Sequence, residues 1–294
     1  MKTRASAKHK LNKKLEPYLW LLPAFILFFV FTFWPFIQTI YKSLFIVDSL
    51  GNIRRFVGFE NYRYILQDER FIKSIWNTLL FVVLTVPTSK IIGMLLAMVA
   101  NRRRALSPLY EASFAVPMAM ASSVTAMIFQ LLYVPTLGAL NGLTGWNVQW
   151  LNNPKIAMFS IAIIQIWLSS GYAFIFMLSA VRSVPKDVLE SAYLEGASPF
   201  KQLIKIYLPL TSPTMFYLIC TDLAYSIMMM SLVNILTQGG PFDATMTVMQ
   251  YVYRQFAASG NYTNANPAAI IAFCMAFITT MLTFIYEKKG VFYQ

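Results

Sequence analysis

Residues 190–209 read ESAYLEGASPFKQLIKIYLP and separate two long apolar runs of the chain. Between Arg182 and Lys205 there are seven charged side chains. Each would cost about 2.5–3.5 kcal/mol at the centre of a membrane-spanning helix. The segment therefore lies outside a bilayer, although apolar side chains recur through it at the spacing of one helix face.

The turn residues of this stretch predict two short helices joined by a bend. Ser183 is a candidate cap for the first helix, with Pro185 near its first position, and Gly196 is a typical helix stop. A second helix is predicted to begin at Ser198 and Pro199. We expect two amphipathic helices whose apolar face packs on the protein itself, on membrane lipid or on another subunit.

The composition of the whole chain is that of a membrane protein. Of its 294 residues, 57% are hydrophobic and 12% are charged, whereas soluble domains carry about 25% charged residues. Six runs reach the length of about 20 apolar residues that crosses a bilayer: residues 18–41, 75–99, 107–133, 156–181, 208–236 and 264–286. The sequence predicts an all-α polytopic membrane protein of six transmembrane helices, with a membrane domain at 18–286 between a basic tail, 1–17, and a short tail, 287–294.

The net charge of +12 is spread between the apolar runs, which indicates the positive-inside bias of a membrane protein and not a nucleic-acid surface. With the N-terminus in the cytoplasm, fifteen Lys and Arg residues fall on the cytoplasmic side and seven outside. The run from Arg102 to Arg104 is the firmest anchor, because its loop is short. We predict that both termini and the loop at 183–209 are cytoplasmic.

The outer loops differ in kind. Residues 46–73 form a long first loop, and the stretch FENYRYILQDERFIKSIW within and after it predicts an amphipathic helix with Phe59, Tyr62, Ile65 and Leu66 on one face. Residues 134–155 and 237–263 are rich in turn residues. The GGPFDAT stretch at 239–245 is either a simple turn or a surface near an external partner.

Several chemistries are excluded by residue counts. The chain has one His and two Cys, and both cysteines lie in apolar runs, so a disulfide framework, a zinc site and a His-dependent catalytic set are not expected. A phosphate-binding G-x-x-x-x-G-K-[ST] motif does not occur. The chain is therefore expected to bind no metal or nucleotide cofactor itself and not to be an enzyme.

Polar side chains inside the predicted spans are candidates for a solute pathway, because burying them in a membrane is costly. For Lys90, two alternatives stay open: it contacts an anionic solute, or it pairs with Asp222 or with a partner chain. The full candidate set is Lys90, Gln130, Gln165, Asp222 and Asn234.

The stretch at residues 190–209 resembles the signature loop of permease subunits in binding-protein-dependent ABC importers. The matching positions keep the spacing of that signature, with Ser191 in place of the usual alanine: Glu190, Ser191, Ala192, Gly196, Ile206, Leu208 and Pro209. The stretches LLPAFILFFVFTFWPF, VGFENY and NILTQGGPFDATMTVMQYVYRQF are similar to the carbohydrate-uptake branch. Within that branch the chain looks closest to the first permease subunit of sn-glycerol-3-phosphate importers.

The resemblance implies a type I importer permease fold in which the loop at 183–209 is a coupling helix seated in an ATPase subunit. It implies polar contacts from Glu190 to that ATPase, a tight turn at Gly196, and the start of the fifth span at Pro209. The implied partners are a second permease, two copies of an ATPase that binds ATP and Mg²⁺, and an external solute-binding protein delivering a sugar or sn-glycerol-3-phosphate. A self-contained secondary transporter is the alternative, although no paired inverted repeats are evident.

Overall fold

The computed structural model describes residues 17–102, 106–136 and 138–290. The basic tail before Pro17, Arg103 and Arg104 of the arginine run, and the last four residues lie outside the described residues. Along the described chain the helices are α1 (Pro17–Ser43), α2 (Glu60–Gln67), α3 (Glu69–Asn101), α4 (Ser107–Ala119), α5 (Ser122–Leu132), α6 (Ala139–Thr144), α7 (Ala157–Arg182), α8 (Lys186–Leu194), α9 (residues 199–210), α10 (Ser212–Ile227), α11 (Ser231–Leu236), α12 (Val248–Tyr253) and α13 (Tyr262–Gly290).

Five stretches in the described part of the chain are long and apolar enough to cross a membrane: Pro17–Ser43, Glu69–Asn101, Ala157–Arg182, Ser212–Leu236 and Tyr262–Ile285. The bent pair α4–α5 supplies a sixth if it counts as one span. Each predicted apolar run thus coincides with a helix or a broken helix.

The third span is not the continuous helix predicted for residues 107–133. Helices α4 and α5 meet at an angle of 101°, and Met120 and Ala121 between them have extended backbone. Pro117 weakens the last turns of α4, because it lacks the N–H that the helix ladder needs and its ring crowds the preceding turn. Helix α7 packs closely here, since a Cβ on Gly171 would lie 3.0 Å from the amide nitrogen of Met118.

The fifth span, predicted as residues 208–236, is also divided. Helix α9 runs through Pro209, so this residue lies inside a helix and does not begin the span. The helical path is interrupted at Thr211 and again at residues 228–230, between α10 and α11. The break exposes backbone groups that are then satisfied from elsewhere: the carbonyl oxygen of Met229 accepts a 2.9 Å hydrogen bond from the Thr247 hydroxyl.

A small hairpin departs from the all-α prediction. Strands β1 (Phe45–Val47) and β2 (Ile53–Phe56) pair antiparallel, with Phe45 opposite Phe56. Asp48 closes the turn by accepting hydrogen bonds from the backbone N–H groups of Asn52 and Leu50, and by pairing with Arg54 at 2.6 Å. These donors, led by the Asn52 N–H, hold the pKa of Asp48 below its usual range.

The amphipathic helix predicted within residues 59–76 is shorter than expected. It is α2, which ends at Gln67, and Asp68 then caps α3 by accepting from the N–H of Arg70. Ile65 is fully buried, but Phe59 is 76% exposed, so the predicted face does not pack as one unit. The Asn61 side chain joins α2 to the hairpin by donating to the carbonyl oxygens of residues 43 and 45.

The long helices α3 and α7 form the centre of the bundle. Between them, a Cβ on Gly93 would lie 2.5 Å from the Cβ of Ala173, so glycine is what lets the two backbones approach. The interior is divided into apolar clusters along the bundle. One end of the molecule, here called the basic end, holds residues 101, 102, 106 and 182–211. The opposite end, here called the hairpin end, holds residues 44–68, 134–136, 138–156 and 237–261.

Candidate coupling segment and translocation cavity

The segment from residue 183 to residue 209 folds as helix, turn and helix. Helix α8 begins at Lys186 directly after Pro185, and not from a Ser183 cap as predicted, because the Ser183 hydroxyl donates back to the carbonyl of Ala180 at 2.7 Å. After α8, Gly196 adopts φ +71°. Ser198 caps α9 as predicted, since its hydroxyl accepts from the N–H of Lys201 at 3.3 Å.

Glycine is required at position 196 by its backbone angle and not by space. A Cβ there would meet nothing within 4 Å, but φ +71° is the left-handed region, which costs most L-residues about 1–2 kcal/mol. The turn is closed by a 2.9 Å hydrogen bond from the N–H of Ala197 to the carbonyl of Ala192. The angle between α8 and α9 therefore depends on this residue.

The signature residues divide between an inner and an outer face. Ala192 is buried and Ile206 and Leu208 are half-buried, whereas Glu190, Ser191, Gly196 and Pro209 are exposed. The inner face joins the apolar cluster at the basic end, in which Val184 and Tyr207 are buried with Met94 and Val181. Burial in this cluster raises the pKa of Tyr207. The segment is thus fixed to the ends of α3 and α7.

The outer face of the segment, here called the coupling face, is apolar and uncovered in the single chain. Tyr193, Leu194 and Phe200 are 77%, 87% and 72% exposed. Beside them a groove of about 460 Å³ is lined by Leu189, Glu190, Tyr193, Leu194 and Gln202. Three exposed large apolar side chains on one short segment are typical of a protein contact surface.

An ion pair ties the basic end together. Arg182, at the end of α7, contacts Glu111 of α4 at 2.6 Å and donates to the carbonyl of Ala100 at 3.2 Å. Both side chains are partly exposed, so the pair contributes at most about 1 kcal/mol. Its role is to fix the relative position of the three helix ends that carry the coupling segment.

Lys90 and Asp222 form a buried ion pair in the centre of the bundle. The Lys90 Nζ lies 2.7 Å from the Asp222 carboxylate, and the two side chains are 3% and 9% exposed. The Ser89 hydroxyl donates to the same carboxylate oxygen at 3.2 Å. Of the two alternatives for Lys90, the structure therefore shows the pairing, and the lysine does not line the adjacent cavity.

A cavity of about 370 Å³ lies beside this pair, between α4, α7 and α10. Its walls carry hydroxyl, amide, carboxylate, aromatic and apolar groups: Pro117, Met118, Met120, Ser122, Gln165, Leu168, Ser169, Tyr172, Thr221, Asp222 and Tyr225. The break between α4 and α5 supplies one rim. Of the five predicted pathway residues, this cavity holds Gln165 and Asp222.

The other two candidates lie nearer the hairpin end. Gln130 borders a second cavity of about 320 Å³ together with Asn152 and Gln238. Asn234 accepts a 3.1 Å hydrogen bond from the amide of Gln250 and borders neither cavity. The five residues therefore do not form one site.

Several residues that line this cavity were not predicted from the sequence, above all Ser169 and Tyr172 of α7 and Tyr225 of α10. The run LSSGY at 168–172 was the available signal, because two serines, a glycine and a tyrosine in a predicted span mark a polar, closely packed helix face. These three residues line one cavity with Asp222 because helices that are distant in the sequence pack together.

The stretch at 239–245 is an ordered turn tied to α3. Lys73 donates to the carbonyl of Phe242, and the Asn77 amide donates to the carbonyls of Asp243 and Met246. Nearby, Tyr251 is buried and donates to Asp68 at 2.7 Å. Burial, reinforced by the Asp68 carboxylate, raises the pKa of that tyrosine.

The sequence and the fold resemble those of known proteins. Residues 69–288 match the family described as the inner membrane component of binding-protein-dependent transport systems. The chain belongs to this family. It is a multi-pass membrane permease, and the ATPase of such a system is a separate subunit. Among the residues described, no group of three His, Cys, Asp or Glu side chains could hold a metal ion.

Individual relatives cover nearly the whole permease. It is 29% identical over 95% of its length to the sn-glycerol-3-phosphate transport system permease protein UgpA of Yersinia pestis bv. Antiqua (strain Antiqua), covering 96% of that protein. The identity to the protein of the same name from Escherichia coli O157:H7 is 26%, covering 99% and 100% of the two chains. A chain of a bacterial alginate ABC transporter, solved with an alginate pentasaccharide-bound periplasmic protein, superposes with a TM-score of 0.83 at 22% identity, covering 95% and 98%.

Proposed function

We propose that this permease forms half of the translocation pathway of an ATP-driven importer for a carbohydrate-type solute. A second permease supplies the other half, two ATPase subunits bind ATP and Mg²⁺, and an external binding protein delivers the solute. The relatives named for sn-glycerol-3-phosphate and alginate transport support this solute class. The chain itself needs no cofactor in this scheme.

The observation that carries the proposal is the uncovered coupling face on a rigidly held helix pair. Tyr193 and Leu194 of this face share a groove with Glu190, and the inner face of the segment is fixed to the ends of two long helices. A displacement of this segment therefore moves α3 and α7, and α7 lines the central cavity. Coupling between distant sites requires such an element with different contacts in two states.

The orientation follows from charge. In the predicted topology of the whole sequence, fifteen Lys and Arg residues fall on the side of the N-terminal tail and the coupling segment and seven on the other side, and the positive-inside bias assigns the richer side to the cytoplasm. We propose that both termini and the coupling segment face the cytoplasm, where an ATPase can reach them. In the coupling role, the Glu190 carboxylate makes a charge-assisted contact with the ATPase, and Gly196 sets the bend between α8 and α9. Three apolar residues anchor the segment to the permease: Ala192, Ile206 and Leu208. Ser191 and Pro209 lie on its exposed side.

The test is purification of the tagged permease in mild detergent from cells that carry its whole transport system. We expect an ATPase subunit and a second permease to co-elute with it. Proteoliposomes of that complex should take up solute only with internal ATP and external binding protein. Uptake driven by a proton or sodium gradient in the chain alone would contradict the proposal and support a secondary transporter instead.

A further inference from the structure

The connection between the spans α1 and α3, residues 44–68, is held at the level where α1 ends. The Asn61 side chain donates to the carbonyl oxygens of Ser43 and Phe45, at 2.9 Å each. The hydroxyls of Ser43 and Tyr62 lie 2.7 Å apart. Because Ser43 is the last residue of α1, the start of α2 is level with the end of a membrane-spanning helix. The connection therefore lies at the boundary of the bilayer.

Aromatic side chains continue from that helix end into the hairpin. The ring centre of Tyr41, in the last turn of α1, lies 4.7 Å from that of Phe45, which lies 5.1 Å from that of Phe56 in β2. Tyr41 and Phe56 are 55% and 64% exposed. Exposed aromatic rings at the end of a span are typical of the headgroup layer of a membrane.

One exposed face of α2 has the composition of a helix that lies on a membrane. Phe59, Arg63 and Leu66 are spaced i, i+4 and i+7, which places them in one stripe along the helix. Phe59 and Leu66 are 76% and 50% exposed, and Arg63 between them is also exposed. The exposed Glu60 and Gln67 lie about a quarter turn away from this stripe. An arginine between two apolar side chains, with polar side chains beside them, is the pattern of an interfacial helix.

The charge of Arg63 is not matched within the described residues. Arg54 of the same connection pairs with Asp48 at 2.6 Å, whereas Arg63 forms no ion pair in the described part of the chain. A guanidinium binds phosphate through two parallel hydrogen bonds, and its stem can lie along apolar groups while the charge stays at the polar surface. The stripe therefore complements a phospholipid surface, with Phe59 and Leu66 at the acyl boundary and Arg63 at a phosphate.

We propose that α2 is an interfacial anchor that binds the phospholipid headgroups at the hairpin end of the permease, with Arg63 as the phosphate ligand. Asp68 alone separates α2 from α3, which begins at Glu69, so the bound headgroups also fix the depth of α3 in the membrane. This inference rests on the membrane location of the permease and not on import, so its failure would leave the proposed function unchanged.

Spin labelling of the whole transport complex tests the anchor. With Cys220 and Cys274 changed to serine, a nitroxide is attached at Leu66→Cys or, as the matched control, at Gln67→Cys, and the complex is placed in vesicles of equal parts phosphatidylcholine and phosphatidylglycerol. The measured quantity is the ratio of collisions with oxygen, which partitions into lipid, to collisions with a water-soluble nickel chelate. We expect this ratio to be at least about twofold higher at position 66 than at position 67. An equal or lower ratio at position 66 overturns the anchor, and so does loss of collisions with both reagents there, which would show that a protein covers the stripe.

Two charge variants assign the phosphate contact to Arg63. With the nitroxide at position 66, Arg63→Glu should lower the collision ratio at least about twofold, because a carboxylate is repelled by the anionic surface. Arg63→Lys keeps the positive charge and should retain most of the ratio. The Arg63 side chain is exposed, so neither variant disturbs the packing of the bundle, and the yield of co-purified ATPase measures complex assembly. An unchanged ratio in an assembled Arg63→Glu complex would refute the contact.

Discussion

Replacing Lys90 with methionine is expected to lower the free energy of unfolding by about 3–5 kcal/mol. The change removes the cation that lies 2.7 Å from the buried Asp222 carboxylate, and an uncompensated buried charge is strongly destabilising. Unfolding of the purified permease in mixed detergent micelles, followed by circular dichroism, measures the loss. The serine hydroxyls on the same carboxylate cannot replace the missing charge.

Two controls separate charge burial from loss of a side chain. The double variant Lys90→Met/Asp222→Leu should recover most of the lost stability, because apolar pairs of similar volume often replace buried ion pairs without penalty. Lys155→Met, at an exposed turn, should change stability by less than about 0.5 kcal/mol. A Lys90→Met protein as stable as the parent would show that the ion pair is not formed.

Replacing Gly196 with valine is expected to reduce ATP-dependent uptake at least tenfold. A β-branched residue is disfavoured at φ +71°, so the turn would open and change the angle between α8 and α9. Apolar contacts that hold α8 and α9 to the basic end would remain, and the permease should therefore still reach the membrane in normal amount. Initial rates of uptake in proteoliposomes, normalised to permease content, measure the effect.

Gly196→Asn is the matched control for this prediction. Asparagine adds a side chain but tolerates the left-handed region, and the space around position 196 is open. We expect the Asn variant to keep most of the uptake. If Val and Asn variants were equally active, the bend would have no part in coupling; if both were equally inactive, the side chain and not the backbone angle would be responsible.

The sequence predicted those parts of the fold that depend on local patterns. Apolar length located the membrane helices, and Gly196 and Ser198 located the turn and the second start within the coupling segment. The same kind of pattern predicted the start of α8 wrongly, because the Ser183 hydroxyl donates back to a carbonyl of its own helix. The short hairpin was missed since strands of three and four residues have too few side chains to display an alternating pattern.

Other features depend on contacts between distant residues. Pro117 was visible in the sequence, but prolines are often accommodated in membrane helices, and only packing decides that the chain turns by 101° here. The pairing of Lys90 with Asp222 joins residues 132 positions apart, and the sequence left it as one of two alternatives. The hydrogen bonds that join Gln165 and Ser169 of α7 to Asp222 of α10 link two spans, which the LSSGY run could not indicate by itself.

The most direct test of the coupling role is chemical labelling at Leu194, the most exposed of the three large apolar residues of the coupling face. Leu194→Cys is introduced after Cys220 and Cys274 have been changed to serine, and the complex is treated with a membrane-impermeant maleimide. We predict no labelling of intact spheroplasts, labelling of inside-out vesicles stripped of the ATPase, and protection when the ATPase is restored. Labelling of intact spheroplasts, or unchanged labelling with the ATPase bound, would contradict the account.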